Sequence, residues 1–435
     1  MGAHMSEHAV TDPIATSHVY PAGSRVNERG HLEIAGCDVT ELAAEFGTPA
    51  YVYAEEDIRL RAAAYLDAFR QHTDDFEVLY ASKAAPITAI YRICNDVGLS
   101  VDVASGGELH TALRAGFDPA RVYMHGNNKT DAELRYAAES GVGHLILDSF
   151  DEIARAERLL GRTQDVLIRV TPGIRASTHD YISTGGLDSK FGFGLEDGLA
   201  RRAIDAVRET SNLRLVGLHA HIGSQIFELE SYVAAIEALA GLWEDEMRIL
   251  NVGGGLGIAY TEEDRPPSIH DYVDVKVGGV QRVFDPMPRI LVEPGRSLVG
   301  KAGLTLYTVG TVKEIPDVRT YIAVDGGMSD NMRPMLYGSR YEALIANRAA
   351  DEPETLATIA GMHCESGDVL VRDAKLAAPR PGDVLVTPAT GAYGYAMASN
   401  YNGLPRPPVI FCADGDARVV VRRETYDDLL ARDVE

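Results

Sequence analysis

Lysine, cysteine and long apolar runs are all scarce in this chain of 435 residues. The four cysteines, Cys37, Cys94, Cys364 and Cys412, lie far apart and form no C-x-x-C pair. That spacing excludes a disulfide scaffold and a cysteine-based zinc site, and it fits a reduced, cytoplasmic compartment. No metal is expected. No apolar run approaches the roughly 18 residues that a membrane span requires. Basic charge is outnumbered as well. A formal net charge of −23 argues against nucleic acid, whose phosphates need a basic surface. A small zwitterionic substrate stays open, because a site can be locally positive on an acidic protein.

What remains is the composition of a globular protein long enough for two domains, 46% hydrophobic and 24% charged. Residues 1–5 (MGAHM) read as a tag remnant, and residues up to 17 as a mobile leader. Short apolar, β-prone runs then recur at 78–82, 100–104, 122–126, 144–148, 166–171, 213–222, 249–253 and 290–293. Stretches such as 131–140 and 199–210 between them carry Ala, Glu and Arg in helical patterns. Strands alternating with helices in this way predict a parallel (β/α)8 barrel over residues 51–297, with a doubly wound open sheet as the alternative. After residue 300 strand-like runs at 305–312, 320–324, 369–372, 384–387 and 409–411 alternate with Gly, Pro and Asp turns. Residues 298–435 therefore read as a mainly β domain, which the segment 18–50 is expected to join.

Barrel active sites sit at the C-terminal ends of the strands. Here those ends carry Lys83, Asp102, His125, Asp148, Arg169, His221, the run Gly253-Gly254-Gly255 and Glu293. Only seven lysines occur: 83, 129, 190, 276, 301, 313 and 375. An enzyme that holds a carbonyl cofactor as an imine must use one of them, since guanidinium cannot replace a primary amine. Lys83 points into the expected mouth, where desolvation and neighbouring cations should lower its pKa; its position alone equally allows a solvated loop lysine. The glycine run after the seventh strand lets backbone N–H groups approach an anion, although such a run can also be a plain turn. Arg296 adds a permanent cation and Ser224 a hydroxyl. Glu293 is placed to keep a pyridine nitrogen protonated, and His221 could stack on a cofactor ring. His219 reads as a hydrogen-bonded core residue.

With these residues assembled, the chain resembles the fold-type III pyridoxal-phosphate decarboxylases from about residue 18 to 433. The matching motifs are YASK (80–83), DVASGGEL (102–109), HGNNK (125–129), KFG (190–192), HAHIGSQ (219–225), GGGLG (253–257), EPGR (293–296), DGGMS (325–329), HCESGD (363–368) and TGAY (390–393). The resemblance implies pyridoxal 5'-phosphate as cofactor, with Lys83 bound to it, Glu293 on its ring nitrogen and His221 stacked on the ring. Ser224, Gly253, Gly254, Gly255, Gly295, Arg296 and Tyr393 would hold the phosphate. Cys364 would supply the proton that replaces the departing carbon dioxide.

Arg333, Tyr337 and Glu365, with Arg296 and Tyr393, match the branch of the family that decarboxylates meso-2,6-diaminopimelate to L-lysine, the last step of lysine biosynthesis. A buried arginine in a site for ornithine or lysine would meet no distal carboxylate and stay unpaired. The resemblance also implies a homodimer in which Cys364 and Tyr393 reach the neighbouring subunit's site. One departure stands out: the segment between Gln225 and the glycine run is short, so a trimmed helix or loop is expected there, with Trp243 repacked. Decarboxylation of arginine, ornithine or a polyamine precursor stays open. So does a catalytically silent regulatory relative, against which Lys83, Glu293, Cys364 and Tyr393 argue.

Overall fold

The computed structural model describes residues 12, 14–174 and 189–434. Eight parallel strands close on themselves: Phe76–Ala81, Ser100–Val103, Val122–Met124, His144–Leu147, Gln164–Thr171, Leu213–His219, Ile249–Asn251 and Arg289–Val292. The eighth pairs with the first (Val292 beside Val78), and the fourth with the fifth (Leu147 beside Ile168). That closure excludes the open sheet. Leu79, Tyr123, Ile146, Leu167, Val216, Ile249 and Leu291 from seven of these strands fill the barrel interior as one buried cluster. Each such side chain contributes about 1.5–3 kcal/mol on burial.

After the second, third and fourth strands the next helix starts at a capping residue. Ser105 accepts from Glu108 N–H, Thr130 forms a reciprocal box with Glu133, and Ser149 accepts from Glu152 N–H. These caps satisfy the free N–H groups of the first turn. Their acidic partners also tie the mouth together. Glu108 Oε2 accepts from Ala104 N–H (2.6 Å) and from Ser82 Oγ (3.1 Å). Glu152 pairs with the buried Lys129 (2.6 Å) and accepts from Asp148 N–H (2.9 Å). The loops that carry the polar strand ends are thus braced by the sequence that starts the next helix.

The second sheet is mixed. Its main path runs Val369–Leu376, Thr355–Ala360, Arg319–Val324, Gly303–Ile315, Ala50–Ala54, Val409–Ala413, Asp416–Val421. Val384–Thr387 also pairs with the long strand Gly303–Ile315. Two of the expected boundaries shift. Tyr51–Ala54, read as the start of the barrel, lie between two strands of this sheet, so the barrel portion begins with helix Glu55–Arg70. Of the expected leader, residues 1–11 and 13 lie outside the described residues, but the rest is anchored. Asp12 accepts from Val26 N–H (2.7 Å), and Ser17 O accepts from Lys301 Nζ (3.2 Å). The short segment after Gln225 holds helix Glu230–Ala240, and Trp243 packs edge-on against Phe284 with centroids 5.1 Å apart.

Candidate active site

The C-terminal strand ends open into one cavity of about 690 Å³. Lys83, Asp102, His125, Arg169, His219, His221, Ser224, Glu293 and Arg296 line it from the barrel, and Arg333, Tyr337 and Tyr393 close it from the C-terminal region. A recess of about 50 Å³ continues past Lys83, bounded by Ser224, Gly255, Gly295, Arg296 and Tyr393.

Lys83 follows the first barrel strand in a single 3-10 turn. Its surface opens to the cavity while protein surrounds it closely. Burial alone would lower its pKa, yet Tyr393, Asp102 and Glu293 outweigh burial and Arg169, and the pKa is raised. The lowering expected from the sequence is therefore reversed, because carboxylates outnumber cations around the amine.

Glu293, at the floor, is the hub of the site. Its Oε1 lies 2.8 Å from His125 Nε2 and accepts from Asn251 Nδ2 at 2.6 Å, and its Oε2 lies 3.2 Å from His219 Nε2. Burial would raise this carboxyl, but His125 and His219 hold it well below the usual carboxylate range. Burial lowers His219 to about 4 and raises Asp102 to about 6. For His125 the pull of Asp102 and Glu293 exceeds burial and lifts the pKa. His219, read as a core residue, is thus a partner of the central carboxylate. Asn251 was not singled out at all. A signal existed for His219: it lies two residues from His221, and alternate residues of a strand share a face. His125, His219 and Glu293 place ligand atoms within 4.8 Å of one another, as a metal site would. Lys83 and Arg169, both close enough to act on this cluster, make it a poor home for a further cation.

His221 Nδ1 accepts a hydrogen bond from Gly254 N–H (3.2 Å). Its pKa is pushed well down by burial, Lys83 and Arg169, so a neutral, flat ring faces the cavity. This bond changes the expected phosphate cradle. Gly254 N–H is committed to His221, and Gly253 N–H to Asn251 Oδ1 (3.0 Å). Of the run, Gly255 is the residue that lines the recess. Only glycine fits there: its φ is 108°, and a Cβ would come within 2.6 Å of Gly223 O and the Tyr232 hydroxyl.

Arg296 spans the recess and the main cavity. It donates to Ser224 Oγ (3.0 Å) and to the Tyr260 hydroxyl, its Cζ sits 4.8 Å over the Tyr393 ring, and its Nε has no protein partner. Arg333 donates to the Tyr341 hydroxyl and lies 4.5 Å over the Tyr260 ring. Both side chains are buried, and among the described residues neither has a carboxylate partner. An uncompensated buried cation costs several kcal/mol, so both guanidiniums are set for anions that the described residues do not supply. Tyr260 and Tyr341, which hold them, carried no distinguishing signal in the sequence.

Two expectations about the second subunit separate here. Tyr393 lies in its own chain's cavity, with its N–H on Ala84 O (2.7 Å) and its ring on Arg296. Its expected arrival from a neighbour is overturned, because the 390–393 turn packs directly against the first strand end. Cys364 and Glu365 do the opposite: both are exposed and neither lines the cavity. Their loop is rigid, with His363 Nδ1 2.9 Å from Asp368 Oδ2 and Cys364 N–H on Asn402 Oδ1 (3.1 Å).

Residues 55–300 match the family described as "Pyridoxal-dependent decarboxylase, pyridoxal binding domain". A diaminopimelate decarboxylase of Bacillus subtilis is 49% identical over 426 residues, covering 94% of this chain and 97% of the relative. One from Mycobacterium leprae is 44% identical, covering 96% and 93%. Among solved structures, diaminopimelate decarboxylase from M. jannaschii superposes with a TM-score of 0.89 at 34% identity, covering 95% of this chain and 98% of that one. The Helicobacter pylori enzyme in complex with L-lysine superposes with a TM-score of 0.83 at 30% identity, covering 91% and 98%. By fold, by cavity and by likeness along nearly its whole length, this chain belongs to the diaminopimelate decarboxylase family of pyridoxal-dependent decarboxylases.

Proposed function

We propose that the chain decarboxylates meso-2,6-diaminopimelate to L-lysine and carbon dioxide, with pyridoxal 5'-phosphate held at Lys83. The observation that carries this reading is the pair Arg296 and Arg333, buried without a carboxylate partner among the described residues and open to the same cavity as Lys83 and Glu293. The residues fit the cofactor. The Arg296 Nε, which has no partner among the described residues, the Ser224 hydroxyl and the Gly255 edge of the small recess suit a phosphate. Glu293, kept ionised by two histidines, suits a protonated pyridine nitrogen. When bound, pyridoxal phosphate supplies the sink for the electrons that the departing carbon dioxide leaves behind.

The chain's own residues do the rest. Lys83 would hold the cofactor through its amine, and His221 would offer its flat neutral ring as a surface for it to pack on. Arg333, whose guanidinium fork matches a carboxylate, grips the distal carboxylate of the substrate, and Arg296 and Tyr337 flank it. This grip orients the bond to be broken and helps exclude water. Ornithine and other diamine precursors lack that carboxylate.

Cys364 moves the proton. Its thiol protonates the substrate carbon after carbon dioxide leaves, and Glu365 accepts from the distal ammonium. Since both side chains stand outside their own cavity, they serve the site of a second copy in a homodimer. The rim supports this arrangement. Met335 lies against Gly367 in the Cys364 loop, Tyr401 stacks on His363 at 5.5 Å, and Met335, Leu336, Met362 and Tyr401 are all exposed. Exposed apolar side chains gathered round a functional loop mark an interface. The experiment is lysine formation from meso-diaminopimelate with and without added cofactor. Cofactor-dependent lysine is expected; lysine formation that ignores the cofactor, or none with it, overturns the proposal.

A further inference from the structure

Arg296 and Arg333 meet at one side chain. The Tyr260 hydroxyl accepts from Arg296 Nη1, while Arg333 lies over the face of the same ring at 4.5 Å. Tyr260 is 5% exposed and cannot readily turn. Its N–H and that of Thr261 both bind Asp264 Oδ2, at 2.8 and 2.9 Å. Two residues earlier, Gln225 grips Ile258 through both its N–H (3.2 Å) and its carbonyl (2.6 Å). Tyr341 meets the Tyr260 ring edge-on at 5.1 Å and accepts from Arg333.

The chemistry of these contacts is selective. Two buried guanidiniums repel each other, and the obvious remedy is a carboxylate between them. A carboxylate would also neutralise the charge a ligand must find. A phenol accepts a hydrogen bond through oxygen and attracts a cation through its ring face, yet carries no charge of its own. It can therefore hold both arginines while leaving their charge for an incoming anion.

We infer that Tyr260 is a positioning residue that sets the separation of Arg296 and Arg333 and thereby the affinity for the substrate's distal amino-acid end. The inference rests on the proposed function, in which Arg333 binds that carboxylate. Lysine keeps the same amino-acid end after decarboxylation, so substrate and product should respond alike.

The test compares wild type with Tyr260→Phe, which keeps the ring face but removes the acceptor. It measures KM and kcat for meso-diaminopimelate, the inhibition constant of L-lysine and the dissociation constant of the cofactor. KM and the lysine constant are expected to rise together by about tenfold to a hundredfold, the worth of one hydrogen bond to a charged group. Cofactor affinity should fall by clearly less than KM rises, because Ser224 and the recess at Gly255 also hold the phosphate, and kcat should stay within about threefold, a split that general loosening of the fold would not produce. Unchanged KM and lysine constants overturn the inference, as does a loss of cofactor affinity equal to the rise in KM. If Tyr260→Phe does not fold, Asp264→Ala, which frees the Tyr260 backbone, must raise KM and the lysine constant in parallel, and the absence of that rise is equally decisive. Failure of the underlying reading looks different: wild type then makes no lysine, or Arg333→Met keeps the wild-type KM.

Discussion

Replacing Arg333 with methionine tests substrate recognition directly. The side chain is 4% exposed, among the described residues its donors reach only the Tyr341 hydroxyl, and its face packs on Tyr260. Methionine keeps the apolar stem against both rings and leaves no protein charge unpaired. The loss therefore falls on the substrate carboxylate. A bidentate guanidinium–carboxylate pair makes two hydrogen bonds of about 1.5–3 kcal/mol each. Arg296 remains nearby and recovers part of this, so about 3 kcal/mol should be lost, roughly a hundredfold in KM. Because the carboxylate is remote from the bond that breaks, kcat at saturation should fall much less. Steady-state lysine release over a range of diaminopimelate concentrations gives both constants, and cofactor absorbance confirms that the variant is loaded. An amino acid without a distal carboxylate should lose nothing, so the preference for diaminopimelate should shrink by the same factor. A folded, cofactor-loaded Arg333→Met enzyme with unchanged KM would refute the assignment.

Other consequences can be measured separately. Lys83→Ala should abolish both the visible absorbance of bound cofactor and turnover; full activity would sink the role of Lys83. Mixing Lys83→Ala with Cys364→Ala chains should restore about a quarter of wild-type activity, because half the dimers are mixed and one of their two sites is intact. No recovery on mixing would mean that Cys364 serves its own chain. Asp330 is buried in the turn that follows strand Arg319–Val324, where burial first and then Asp368 and Asp325 push its carboxyl up to about 7 despite bonds from Tyr307 and Gly327 N–H. Its folded pKa exceeds its unfolded one, so its contribution to stability is full below about pH 4 and is lost as pH rises through 7. Up to about 4 kcal/mol should go between pH 4 and 8, and Asp330→Asn should remove that dependence. A constant offset between the two urea-midpoint curves would contradict this.

Much of the fold was legible because a parallel barrel strand is buried on both faces and reads as an unbroken apolar run. All eight runs are strands, and the loops after the second, third and fourth are braced by Ser/Thr-x-x-Glu caps. Weaker signals failed. Thr355–Ala360 and Asp416–Val421 were not anticipated. The first is interrupted by two alanines, and the second opens on Asp and Arg and is half exposed, so neither reads as an unbroken apolar run.

The site divides in the same way. Residue identity by itself determined what chemistry was available: a primary amine at residue 83, a carboxylate at 293, two arginines and a thiol at 364. Strand order placed the first of these at one mouth. Which groups are charged, and which side chains reach this chain's own cavity, was decided by tertiary structure alone. The Lys83 pKa rises because Asp102, Glu293 and Tyr393 converge on it from three separate elements. Gly253 and Gly254 lose their expected N–H groups to Asn251 and His221. Tyr393 turns into its own cavity while Cys364 faces outward. Electrostatic energy depends on distances between residues far apart in sequence, and those distances exist only once the chain has folded.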